Sequence, residues 1–99
     1  MRRQQIRLEH LSGPEDGKIV GFSQERITIG REQGCELVLA HDPTVSRRHA
    51  QVLREGEQLL VEDFGSTHGT FVNGERVNGR VELRAGAILR LGNSYLAIV

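Results

Sequence analysis

Tryptophan is absent from the sequence, and cysteine occurs once, as Cys35. A lone thiol cannot close an intramolecular disulfide, so a reducing compartment is expected, and we place the protein in the cytoplasm. Aromatic residues are scarce, at three Phe and one Tyr. Net charge is lacking too: thirteen basic and thirteen acidic residues cancel. The balance holds in each half, with eight basic and seven acidic residues in 1–50 and five and six in 51–99. A chain built to coat nucleic acid or an acidic lipid surface carries a basic excess, so neither partner is expected, and any attraction for anions must be local. No apolar run approaches a membrane-spanning length, and no apolar segment follows the basic start Met1-Arg2-Arg3 to make a signal peptide.

Helical periodicity is missing as well. No stretch of ten residues free of Gly keeps apolar positions at i, i+3 and i+4. Alternation at period two recurs instead, in short pieces. Ile6 and Leu8 alternate with Arg7 and Glu9, and Val81 and Leu83 with Glu82 and Arg84. Residues 18–22, 26–29, 37–39, 48–54, 59–61, 71–72, 87–91 and 95–99 read as further strands, with Ala50 and Val52 sharing a face. The count is about eleven, which suits an all-β sandwich or barrel. Turn chemistry separates the strands at Glu55-Gly56, Arg84-Ala85-Gly86 and Gly92-Asn93, while Asn73-Gly74 and Asn78-Gly79 are the strongest hairpin signals. The 99 residues fit one domain, with residues 1–5 as a frayed end. Because the last strand reaches the last residue, a domain cut from a longer protein is expected, although a complete small protein fits the same pattern.

Three polar places interrupt the pattern. Gly30-Arg31 closes a strand with a guanidinium, a planar fork that matches phosphate oxygens, behind a residue that permits close backbone approach. Alone, the pair is no more than an exposed arginine after a turn. Ser46-Arg47-Arg48-His49 supplies a hydroxyl, two cations and an imidazole at the entry to a strand. The plain alternative is a solvated basic loop. For His49 a structural role, fixing backbone through both ring nitrogens, is preferred to a ligand role. Ser66-Thr67-His68-Gly69-Thr70 gathers three hydroxyls around a glycine. Self-capping turn chemistry accounts for Ser66 and Thr70, leaving Thr67 and His68 as the residues aimed at a ligand.

The order Gly30-Arg31, Ser46-x-x-His49, Ser66-x-x-Gly69-Thr70 and Asn73-Gly74, followed by the Leu83-x-x-Gly86 and Ile88-x-x-Leu91-Gly92 stretch, resembles the forkhead-associated (FHA) domain from about Ile6 to Ile98. The resemblance implies an eleven-stranded β-sandwich, without enzymatic activity, that binds phosphothreonine peptides through loops at one end. It implies that Arg31 pairs with the phosphate, that Ser46 donates its hydroxyl to it, that Thr67 contacts it or holds the loop, and that Arg47 borders it and adds charge. Gly30, His49, Ser66, Gly69 and Thr70 would be architectural, and Arg48 would point away. The sequence departs from the family in two places. His68 stands where the family usually has an Asn that hydrogen-bonds the peptide backbone, so that contact is kept with altered reach, weakened or made pH-dependent. Ala87 stands where an acidic residue is common, with only a local effect expected. Glu32, Thr44 and Arg47 are unranked candidates for reading the third residue after the phosphothreonine.

Other function classes fit less well. A Ser46–His49 nucleophile and base, oriented by Asp42 or Asp63, lacks a nucleophile-elbow motif and any requirement that the two side chains meet. The four His and Cys35 show no metal-ligand spacing, and no cofactor is called for. Nucleic-acid binding through Arg31, Arg47 and Arg48 is disfavoured by zero net charge and few aromatics. The remaining alternative is a phosphate-independent interaction module that uses other faces of the sandwich. The expectation is therefore a monomer that docks a phosphothreonine-containing partner, or a phosphorylated segment of its own parent chain, downstream of a Ser/Thr kinase.

Overall fold

A computed structural model describes residues 5–99 of the chain. The expected frayed end, residues 1–5, lies outside the described residues except for Gln5, which precedes the first strand. The described residues form eleven strands and no helix: β1 (Ile6–His10), β2 (Ile19–Phe22), β3 (Arg26–Gly30), β4 (Leu37–Val38), β5 (Ala50–Glu55), β6 (Gln58–Asp63), β7 (Thr70–Val72), β8 (Glu75–Arg76), β9 (Arg80–Leu83), β10 (Ile88–Leu91) and β11 (Ser94–Ile98). They make two facing sheets, a six-stranded one in the order β2-β1-β11-β10-β7-β8 and a five-stranded one in the order β4-β3-β5-β6-β9. Every strand pairing among the described residues is antiparallel except β3 with β4.

Alternation decides which residues face inward. In β1, Ile6 and Leu8 are buried while Arg7 is exposed; in β11, Ser94, Leu96 and Ile98 are buried while Tyr95 is exposed. Their inward side chains meet Ile27, Ile29, Val52 and Val61 of the other sheet in one core. Burying each large aliphatic side chain fully contributes about 1.5–3 kcal/mol, so this interface, rather than any local preference, holds the sandwich together. β5 lies between β3 and β6, and there Gln51 and Leu53 are buried in addition to Ala50 and Val52.

Two expectations need correction. Asn73-Gly74 does close a hairpin, β7 to β8, with both residues at positive φ (49° and 87°). Asn78-Gly79 does not. β8 pairs with β7 in one sheet and β9 with β6 in the other, so this turn carries the chain across the sandwich. Gly79 has the positive φ (68°) its signal announced, but the strands on either side belong to different sheets. The strand expected over 48–54 begins later, at Ala50. Upstream, the Ser46 and Arg47 carbonyls accept from the Arg31 and Glu32 amides, and the Ser46 amide turns to the His49 ring, so regular pairing waits until Ala50.

Candidate functional site

The site is built where β3 ends. At Gly30 a Cβ would run into the Arg47 carbonyl oxygen and come within 2.9 Å of Cys35 Sγ, so only glycine lets these two segments touch. The contact is stitched by the Arg31 amide to the Ser46 carbonyl (3.1 Å) and the Glu32 amide to the Arg47 carbonyl (3.2 Å). Cys35 Sγ adds a donor to the same Arg47 carbonyl at 3.3 Å. Burial pushes this thiol's pKa up, which keeps it in the neutral, donating form.

Arg31 is exposed, and its Nε–H donates to the Val45 carbonyl at 2.9 Å. That bond fixes the plane of the guanidinium. Its two terminal amino groups have no partner among the described residues, so a preoriented fork with full charge faces outward.

Ser46 uses both of its polar ends. Its amide donates to His49 Nδ1 (3.0 Å), and its hydroxyl oxygen accepts the Thr67 amide (3.1 Å). The hydroxyl proton is left to donate elsewhere. His49 is fully buried and bridges two loops, because its other nitrogen, Nε2, lies 2.9 Å from the Gly69 carbonyl. A ring that accepts at Nδ1 and donates at Nε2 is the neutral tautomer. Burial lowers its pKa, opposed only in part by the Gly69 carbonyl and by Asp63, whose Oδ1 is 4.0 Å away. The expected structural role of His49 thus has a geometric basis. The same geometry leaves no catalytic pair, because the imidazole meets the amide of Ser46 rather than its hydroxyl.

The loop over residues 64–69 is organised by Asp63, a residue that sequence reasoning weighed only as a catalytic orienter. One carboxylate oxygen accepts the Gly65 and Ser66 amides (2.8 and 2.9 Å), and the other accepts the Ser66 and Thr70 hydroxyls (2.6 and 2.7 Å). Burial raises the Asp63 pKa, but these four donors outweigh it and hold the carboxyl below its ordinary value. Ser66 Oγ in turn accepts the Gly69 amide at 2.9 Å. An acid with Gly-Ser two and three residues on, as in Asp63-Phe64-Gly65-Ser66, is a local turn signal that could have revealed this role.

Most of the predicted residues therefore converge. Arg31, Ser46 and Thr67 are joined by hydrogen bonds, and Gly30, His49, Ser66, Gly69 and Thr70 form the support beneath them. Arg47 and His68 are exposed on the same two loops, and no protein contact among the described residues fixes either side chain. Arg48 is engaged elsewhere, with its guanidinium carbon 5.5 Å from the centroid of the Phe64 ring. Ala87 is buried, which accounts for an apolar residue there. Chemically, the surface offers a charged planar fork and a free hydroxyl donor, with two further exposed side chains that can donate. That is a complement for an anion with several acceptor oxygens.

The FHA domain family model matches residues 27–92. The chain is 39% identical over 87 residues to an oxoglutarate dehydrogenase inhibitor of Corynebacterium jeikeium, covering 88% of this chain and 59% of that one. It is 33% identical over 86 residues to the FHA domain-containing protein FhaB of Mycobacterium tuberculosis, covering 87% and 55%. The chain thus spans a little over half the length of these curated relatives. Among solved structures, one described as a structural and functional analysis of phosphothreonine-dependent FHA domain interactions is 32% identical, with a TM-score of 0.83 and 95% and 94% of the two chains covered.

Proposed function

The chain belongs to the FHA domain family, and from that premise we propose that it binds phosphothreonine peptides through the loops that carry Arg31, Ser46, Arg47, Thr67 and His68. One observation carries the reading. Arg31 is held by its Nε on the Val45 carbonyl with its terminal amino groups unpartnered among the described residues, next to a Ser46 hydroxyl that accepts the Thr67 amide and keeps its proton to donate. A phosphate near neutral pH carries about −1.5 to −2 charges and three acceptor oxygens. A bidentate guanidinium and a hydroxyl satisfy most of them. Because the donors sit at the surface, binding weakens as salt rises.

In this reading the protein is a monomeric binding module rather than an enzyme. It works in the cytoplasm and docks a partner, or a segment of its own parent chain, that a Ser/Thr kinase has phosphorylated. The names of the relatives, an inhibitor and an FHA protein, support a regulatory role. The single cysteine, buried and neutral, supports a reducing compartment.

The test is fluorescence anisotropy with degenerate peptide pools carrying phosphothreonine, phosphoserine or no phosphate. Saturable binding of the phosphothreonine pool, lost in Arg31→Ala, is expected. The loss should be on the order of 2–5 kcal/mol, as for removal of one partner of a charged hydrogen-bonded pair. A loss below tenfold would mean that Arg31 is not the anchor. Equal binding of unphosphorylated peptide would move the function to another face of the sandwich.

A further inference from the structure

The cations outside the site fall into two groups. Lys18 pairs with Glu15, Arg84 with Glu82, and Arg80 with Glu55 while lying 3.8 Å from Glu62. Arg7, Arg26, Arg54, Arg76 and Arg90 pair with no carboxylate among the described residues, and the two that adjoin Phe71 are Arg76 and Arg90. Both stand on the outer face of the six-stranded sheet, in one row. Arg76 of β8 is opposite Phe71 of β7, Phe71 is opposite Arg90 of β10, and Arg90 is opposite Tyr95 of β11. Cation and aromatic alternate along this row. The guanidinium carbon of Arg90 lies 4.3 Å from the Phe71 ring centroid, a stacking that keeps the fork flat and its edge donors free.

The row ends at the phosphate loop. The Arg76 guanidinium lies over Gly69, where a Cβ would come within 3.1 Å of its Cζ and 3.2 Å of Nε and Nη2. Gly69 directly follows His68, and its carbonyl meets His49. A peptide chain leaving the phosphate site across this loop would meet Arg76 first and Arg90 next. The two arginines are two strands apart, about 10 Å at the usual strand spacing. About three residues of extended peptide cover that distance.

We propose that this row reads acidic side chains in the segment flanking the phosphothreonine, with Arg76 as the specificity-determining residue and Arg90, stacked on Phe71, as the second cation. The ligand is a phosphopeptide with carboxylates about three residues apart on one side of the phosphothreonine. The inference rests on the phosphothreonine reading above, and it goes beyond it by naming the flanking chemistry and the residue that selects it.

The experiment measures affinities for two phosphothreonine peptides that differ only in flanking residues, Glu in one and Gln in the other. The proteins are wild type, Arg76→Gln and Arg31→Ala. Wild type should prefer the acidic peptide by roughly fivefold, the scale of an exposed charge pair, and the preference should shrink as salt rises. Arg76→Gln should lose most of the preference, keeping only the share of Arg90, while binding the neutral peptide within about twofold of wild type. An undiminished preference in Arg76→Gln overturns the proposal. So does an equal loss for both peptides, which would make Arg76 only a brace for Gly69. Arg31→Ala separates the two levels. If it binds both peptides as wild type does, or if wild type binds neither, the phosphothreonine reading itself fails.

Discussion

Two aspartates organise the loops of this sandwich in different ways. Asp42 and Asp63 each accept four hydrogen bonds, and in each case those donors outweigh burial and hold the carboxyl below its ordinary pKa. All donors to Asp63 come from within seven residues, and the loop they shape leaves Thr67 and His68 exposed. Asp42 is buried, and besides the amide and hydroxyl of Thr44 it takes the Asn93 amide (3.1 Å) and the Ser94 hydroxyl (2.7 Å). It therefore ties the loop that carries Ser46 to the β10–β11 turn, half the chain away. Asp63 shapes a loop; Asp42 moors one to the opposite sheet. The first should matter more to binding and the second more to stability.

The largest separation is expected from Asp42→Ala. It strands the buried Ser94 hydroxyl and removes the acceptor of the half-buried Thr44 amide and hydroxyl, so unfolding free energy should fall by about 3 kcal/mol in denaturant titration. The folded fraction should still bind phosphothreonine peptide. Asp63→Ala should cost less stability, about 2 kcal/mol, yet abolish measurable binding, because the loop that delivers the Thr67 amide to Ser46 loses its frame. If Asp63→Ala binds normally, the division of labour is wrong.

Acid should pull the supports apart in sequence. The folded pKa of His49 is depressed by burial, so the unfolded chain takes up the proton first as pH falls below the ordinary value of 6.5. Stability is thus intact above that pH and declines below it. The two carboxylates act later. Their folded pKa values are also depressed, so their contribution is intact above the ordinary value of 3.8 and fades as pH drops below it. In His49→Ala the melting temperature should be lower at neutral pH, and the first step of acid loss should shrink to the part owed to His10, whose pKa burial also lowers. A step between about pH 7 and 5 that is undiminished in that variant would assign it to His10 or elsewhere. The smallest effect belongs to His68→Asn. No protein contact among the described residues fixes the His68 ring, so this change should leave melting unaltered and phosphopeptide affinity unchanged or raised. A large loss of affinity would show that the histidine makes a specific contact of its own.

The same contrast explains what was legible in the sequence. Period-two alternation found β1 and β9 because their inward residues join one core or pack against it. It missed β8, whose two residues, Glu75 and Arg76, are both exposed and carry no apolar signal. Asn78-Gly79 announced a turn but not a crossover, because positive φ is a local property and sheet membership is not. In the site, Arg31, Ser46 and His49 could be singled out by type and order. The Asp63 role was readable from the Gly and Ser that follow it. The Asp42 role was not, since its partners Asn93 and Ser94 lie across the chain and only the folded sandwich brings them near. The placement of Arg76 over Gly69 is of the same kind, set by the pairing of β8 with β7.

The central claim is that phosphothreonine is held between the Arg31 and Ser46 loop and the loop framed by Asp63. Amide chemical-shift mapping during titration with a phosphothreonine peptide tests it most directly. The account predicts saturable shifts at Arg31, Ser46, Arg47, Thr67 and His68, with the Asn93 and Ser94 amides beside Asp42 nearly still, and no shifts with the unphosphorylated peptide. Shifts confined to another face of the sandwich, or identical shifts with and without the phosphate, would contradict it.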